Sequence, residues 1–75
     1  MSKLRLMKAG HGDLCLAEWE TLKNEGIEEA RRLFRQHRDK GCLAFRLDAP
    51  GQQTPIESFD ETAPEILLVP AIRGG

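Results

Sequence analysis

Apolar and polar positions alternate through the first part of the chain. In KLRLMK (residues 3–8) Leu4 and Leu6 share one face, and in DLCLAEW (residues 13–19) Leu14 and Leu16 do so again. A period of two marks half-buried β-strand. The intervening AGHGD is turn chemistry, because Gly10 and Gly12 can take the positive φ of a tight reversal and Asp13 is a common turn residue. Residues 1–19 therefore predict an antiparallel hairpin. From Gly26 to Lys40 the period becomes helical: Ile27, Ala30, Leu33, Phe34 and His37 fall on one stripe and charged residues fill the other side. Asn24 or a neighbour can cap the start, Glu28 and Glu29 sit in the first turn, Arg35, Arg38 and Lys40 sit near the end, and Gly41 closes the helix.

CLAFRL follows as a third strand, with Leu43, Phe45 and Leu47 on the face expected to meet the helix. DAPGQQTPIESFDETAP (residues 48–64) reads as a loop, because Pro50-Gly51 suits a type II turn and Pro55 and Pro64 oppose long ladder pairing; Ile56 and Phe59 are placed to pin it to the core. The final apolar segment, EILLVPAI, is continuous where the earlier strands alternate. Such a run suits a central strand covered on both sides, often a parallel one. The order strand, strand, helix, strand, loop, strand predicts an α+β domain over residues 1–71. Its mixed four-stranded sheet has the last strand beside the first and one helix across one face, which is the β-grasp arrangement. Leu33, Phe45 and Leu67 or Val69 are then expected in one core.

Composition narrows the function more than the fold. A chain of 75 residues buries only roughly 60% of its unfolded surface, too little to frame a deep catalytic cleft. Hydrophobic residues make up 40%, charged residues 31%, and the net charge is −1, as in ordinary globular domains. No apolar run is long enough for a membrane span and the N-terminal segment lacks a signal-peptide core, so a cytoplasmic location is expected. Cys15 and Cys42 form no CxxC and predict two reduced, partly buried thiols. His11 and Cys15, on a hairpin, do not have the geometry their spacing would give on a helix, so no metal site is expected. Residues 31–46 are strongly basic and the charges in 47–65 are all acidic. With no basic pI and no interleaved aromatics, this segregation predicts a dipolar surface for protein partners rather than nucleic-acid binding. Trp19 is expected in the core or as a staple at the end of the second strand.

The order of elements, the length and the ending LLVPAIRGG resemble the ubiquitin-like family, which includes ubiquitin and the bacterial sulfur carriers that serve molybdopterin and thiamin synthesis. The resemblance spans the chain as a fold pattern and becomes a motif at Arg73, Gly74 and Gly75. Ubiquitin's lysine-rich surface and long second half are missing. The resemblance implies a chain that is not an enzyme and holds no cofactor, with residues 72–75 as a flexible tail. Gly75, with Gly74 beside it, would be activated by an ATP-dependent adenylating enzyme, and a conjugating enzyme, an isopeptidase and target proteins would complete the partners. The alternatives are a sulfur carrier with a thiocarboxylate at Gly75, and a non-covalent binding module.

The tail also makes physical sense. A carboxylate threaded into a partner's nucleotide site must pass without side-chain obstruction, and glycine lets the backbone approach closely. Ile72 to Gly75 can reach roughly 13 Å at about 3.3 Å per residue. Arg73 offers a fixed cation to an acidic partner surface. A second recognition surface is expected on the uncovered sheet face, which the alternation assigns to Cys15, Ala17, Ala44 and one of Ile66 or Leu68, bordered by Arg5 and Arg46. Ile72, Arg73, Ala44, Arg46 and Leu68 are thus the candidate partner-recognition residues.

Overall fold

The N-terminal alternation does form a hairpin: β1 (Ser2–Lys8) pairs antiparallel with β2 (Gly12–Trp19). The computed structural model describes residues 1–8 and 12–70. Residues 9–11, His11 among them, and residues 71–75, which include the expected tail 72–75, lie outside these. After β2 the chain reverses through residues 20–25, where Glu20 and Glu25 exchange backbone hydrogen bonds of 2.8 and 3.1 Å. The helix α1 (Ile27–Asp39) starts at Gly26, which has φ 75° and no side-chain cap; Asn24 does not cap it. A side chain at Gly26 would meet the Glu18 carbonyl oxygen, so this close approach of helix start to β2 requires glycine. The helix ends as the sequence predicts. Gly41 takes φ 100°, and the amides of Gly41 and Cys42 donate to the carbonyls of Arg38 (2.9 Å) and His37 (3.1 Å) in a Schellman motif.

Three further strands follow: β3 (Leu43–Ala49), β4 (Gln52–Pro55) and β5 (Glu65–Val69). Among the described residues the sheet has five strands in the order β2-β1-β5-β3-β4, not the four expected. The extra strand comes from the segment read as loop. Gln52–Pro55 pairs antiparallel with β3 at the sheet edge, and Pro55 is tolerated as its last residue because an edge position leaves no ladder donor missing. β5 is central, parallel to β1 and antiparallel to β3.

One helix covers one face of this mixed α+β sheet. Ile27, Ala30 and Phe34 of α1 pack with Leu4, Trp19, Ala44, Ile66 and Leu68. Trp19 is 1% exposed, its Nε1–H donates to the Glu61 carbonyl at 2.9 Å, and its ring lies 5.1 Å from that of Phe59. Phe59 also meets Phe34 edge-on at 5.8 Å. Ile56 and Phe59 therefore fasten the segment between β4 and β5 to the core, as expected. No helix among the described residues is long and apolar enough to cross a membrane.

The face assignment of β3 is the reverse of the expectation. Ala44 faces the helix, while Leu43, Phe45 and Leu47 lie opposite Val69, Leu67 and Glu65 on the other side of the sheet. Phe45 and Leu67 therefore do not join Leu33 in one core. Trp19, Phe34 and Phe59 already supply the bulk over this part of the sheet, so the inward positions of β3 and the following loop are the small Ala44 and Ala63. In β2 a bulge opposite Leu4/Arg5 takes up Leu16, so that Ala17 pairs with Leu4 and Cys15 with Arg5. Ala17 consequently packs toward the core and only Cys15 keeps its expected place on the open face. Both thiols are free; Cys42 is buried and Cys15 is exposed.

Candidate functional site: the uncovered face of the sheet

Strand alternation and register define this face row by row. The middle row crosses all five strands as Cys15, Arg5, Leu67, Phe45 and Pro55. Toward the C-terminal end of β5 the next row brings Asp13 and Met7, then Val69 and Leu43. On the other side lie Glu18 and Lys3, then Glu65, Leu47 and Gln53. The apolar side chains thus collect on β5 and β3, and the charged ones on β1 and β2. Met7 is 42% and Leu43 49% exposed, whereas Leu67, flanked by Arg5 and Phe45, is 7% exposed.

Arg5 divides the two halves. Its guanidinium pairs with Glu65 at 2.9 Å and with Asp13 at 2.5 Å, bridging β1 to both neighbouring strands. The hydrogen bond to Glu65 holds this arginine yet more firmly in its protonated form. The result is a fixed, ion-paired polar margin beside an apolar block. Such a surface suits a protein partner that buries the block and leaves the ionic margin wet.

Of the residues expected to recognise partners, Ala44 (3% exposed) and Leu68 (0%) are in the helix-side core and cannot touch a partner. Arg46 is likewise not on the rim of the open face. It points to the helix side, where it pairs with Asp48 at 2.8 Å and Asp60 at 2.5 Å and donates to Thr62 at 3.1 Å. The Asp60 carboxylate accepts from the Thr62 hydroxyl and amide as well as from Arg46, which lowers its pKa below the ordinary carboxylate range. Arg46 therefore clasps the β4–β5 connection. Ile72, Arg73, Gly74 and Gly75 lie outside the described residues.

The residues that replace Ala44 and Leu68 on the open face are Phe45, Leu67, Val69, Leu43 and Met7. Register was the missing signal: the run Ile66–Val69 is apolar on both faces and so assigns neither, and β3 carries its larger side chains on the side away from the helix. The chain matches no protein family, no curated protein and no solved structure with which it was compared.

Proposed function

We propose that the chain is a ubiquitin-like β-grasp protein of the bacterial cytoplasm, activated at Gly75 by an adenylating enzyme and joined to target proteins. The observation that carries this reading is the position of β5. The strand is held between β1 and β3 in the middle of the sheet, and it leads directly through Pro70 into the sequence AIRGG. Val69, the last residue of β5, lies opposite Leu43 on the open face, so the apolar block reaches the C-terminal end of that strand. An enzyme that grips this block would hold the domain at the C-terminal end of β5.

In the reaction, the Gly75 carboxylate attacks the α-phosphate of ATP, releases pyrophosphate and becomes an acyl adenylate. A partner's cysteine thiolate displaces AMP to give a thioester, and a target amine then displaces the thiolate to give an amide. With a cognate activating enzyme, ATP and magnesium, the chain should support ATP–pyrophosphate exchange, and Gly75→Val should reduce it at least about tenfold, the effect of losing roughly 1.4 kcal/mol in the transition state. Gly75 found in an amide bond supports the modifier. A C-terminal thiocarboxylate, about 16 Da heavier where sulfur replaces oxygen at the acyl carbon, replaces it with the sulfur carrier. Absence of exchange with every adenylating enzyme encoded nearby rejects both and leaves a non-covalent module acting through the open face.

A further inference from the structure

On the opposite side of the molecule, α1 and the segment 57–59 enclose a groove of about 440 Å³. Its walls carry Arg31, Arg35 and Arg38, and Phe34 and Phe59 line its floor. These arginines stand at i, i+4 and i+7, so they share one helix face with roughly 5–6 Å between successive Cβ atoms. Each guanidinium is differently occupied. Arg31 pairs with Glu28 at 2.9 Å, and its guanidinium carbon lies 5.8 Å from the centre of the Phe59 ring. Arg38 donates to the Cys42 carbonyl at 2.8 Å, which satisfies hydrogen-bonding capacity and leaves its charge uncompensated. Arg35 is exposed and has no hydrogen bond or ion pair among the described residues. Asp39 and Glu57 also line the groove, yet neither pairs with any of the three.

We propose that this groove binds an acidic segment of a partner protein, in which an extended stretch presents an apolar side chain followed by two carboxylates on the same side. Alternate residues of an extended peptide are about 7 Å apart and point the same way, a spacing that long arginine side chains rooted roughly 5–6 Å apart on successive turns can span. The apolar side chain meets Phe59, and the carboxylates meet Arg35 and Arg38 as charge-assisted pairs. Asp39 and Glu57 set the length of the charged stretch: they repel a continuous polyanion and leave the centre of the groove open to isolated carboxylates. That favours an acidic peptide over RNA or DNA, whose every residue carries a phosphate. The site is independent of the chemistry at Gly75, and it lies on the side of the sheet opposite the apolar block.

The test uses the intact chain and a fluorescein-labelled peptide with the core Leu-Ser-Glu-Ser-Glu, compared with Leu-Ser-Gln-Ser-Gln, by fluorescence anisotropy at low and moderate salt. The Glu peptide should bind saturably, with amide chemical-shift changes confined to α1 and residues 57–59, and the Gln peptide at least about tenfold more weakly. Arg35→Glu should weaken the Glu peptide by at least about tenfold, while Lys23→Glu, the same charge change in the exposed turn before the helix, should alter it less than about twofold. Unchanged Trp19 fluorescence would certify that both variants are folded. Equal binding of the two peptides, equal weakening by the two substitutions, shift changes centred elsewhere, no saturable binding, or tighter binding of a short RNA to the same residues would each overturn the proposal.

Discussion

Truncating Leu68 to alanine should destabilise the domain more than truncating the larger Phe45. The two residues sit on neighbouring central strands but on opposite faces. Leu68 is 0% exposed beneath α1, among Leu4, Ile66, Phe34 and Ala44. Its removal leaves a closed void that the surrounding side chains fill only in part, which costs about 2.5–5 kcal/mol in buried cores. Phe45 is partly buried on a face open to water, so its loss exposes neighbours without creating a sealed cavity. About two-thirds or more of a full aromatic burial is then at stake, roughly 1–2.5 kcal/mol. A chain of this length has about 4–11 kcal/mol to lose, at about 0.05–0.15 kcal/mol per residue. Trp19 is the sole tryptophan and is 1% exposed, so its fluorescence reports unfolding directly. Urea titrations should show a midpoint for Leu68→Ala well below that for Phe45→Ala, with similar slopes. On heating, each kcal/mol lowers the melting temperature by about 4–8 °C in a domain this small. A Phe45→Ala protein as unstable as Leu68→Ala, or more so, would refute the face assignment and return Phe45 to the core.

Gly26→Ala should cost about 2 kcal/mol or more, since it combines an unfavourable positive φ with a collision against the Glu18 carbonyl oxygen; a melting temperature equal to the parent's would contradict the close approach of helix and strand. Asp60 predicts a specific acid response. Its folded-state pKa is lowered by the Thr62 hydroxyl, the Thr62 amide and Arg46, so its contribution is fully present above the unfolded value of about 4 and is lost as pH falls through the folded one. Asp60→Asn should therefore lower stability at neutral pH and flatten the decline as pH falls below about 4, as followed by Trp19 fluorescence. An acid limb of unchanged steepness would show that the Arg46 clasp contributes nothing.

The elements that local pattern decides were readable from the sequence. α1 combines a continuous apolar stripe with a glycine stop, and the hairpin has clean alternation before its turn, so neither needs knowledge of the rest of the chain. The central, parallel place of β5 was also readable from the unbroken apolar run Ile66–Val69, but its two faces are not equally covered: Ile66 and Leu68 lie beneath α1, while Leu67 and Val69 look onto the open face. What local pattern could not supply was the side of β3 that meets the helix. Leu43, Phe45 and Leu47 form the more apolar set, yet the aromatic rings of Trp19, Phe34 and Phe59 fill the helix-side volume and leave room for Ala44. That is a competition among distant side chains. The bulge at Leu16 moved Ala17 inward for a similar reason: Trp19 and Leu14 both belong on the helix side only if one residue between them is left out of register. Strand β4 was hidden by its prolines and polar residues, which suit an edge as well as they suit a loop. For the candidate site, these facts meant that the open face was foreseen and most of its residues were not.

The parallel pairing of β1 with β5 has a consequence for how the molecule is made. Lys3 finds its partner at Glu65 and Leu6 at Leu68, so the middle of the sheet is closed by the last of the five described strands in chain order. A nascent chain still missing β5 can form its hairpin and its helix, but β1 and β3 then have nothing between them, and two apolar strand edges stay unpaired. Such an intermediate is slow to resolve because its decisive contacts join strands far apart in the sequence. It is also the kind of species that chaperones and proteases recognise. Closure of the sheet therefore waits on β5: a copy cut short before Val69 lacks the central strand and never acquires the native sheet, and a partner that engages only the folded domain never meets one.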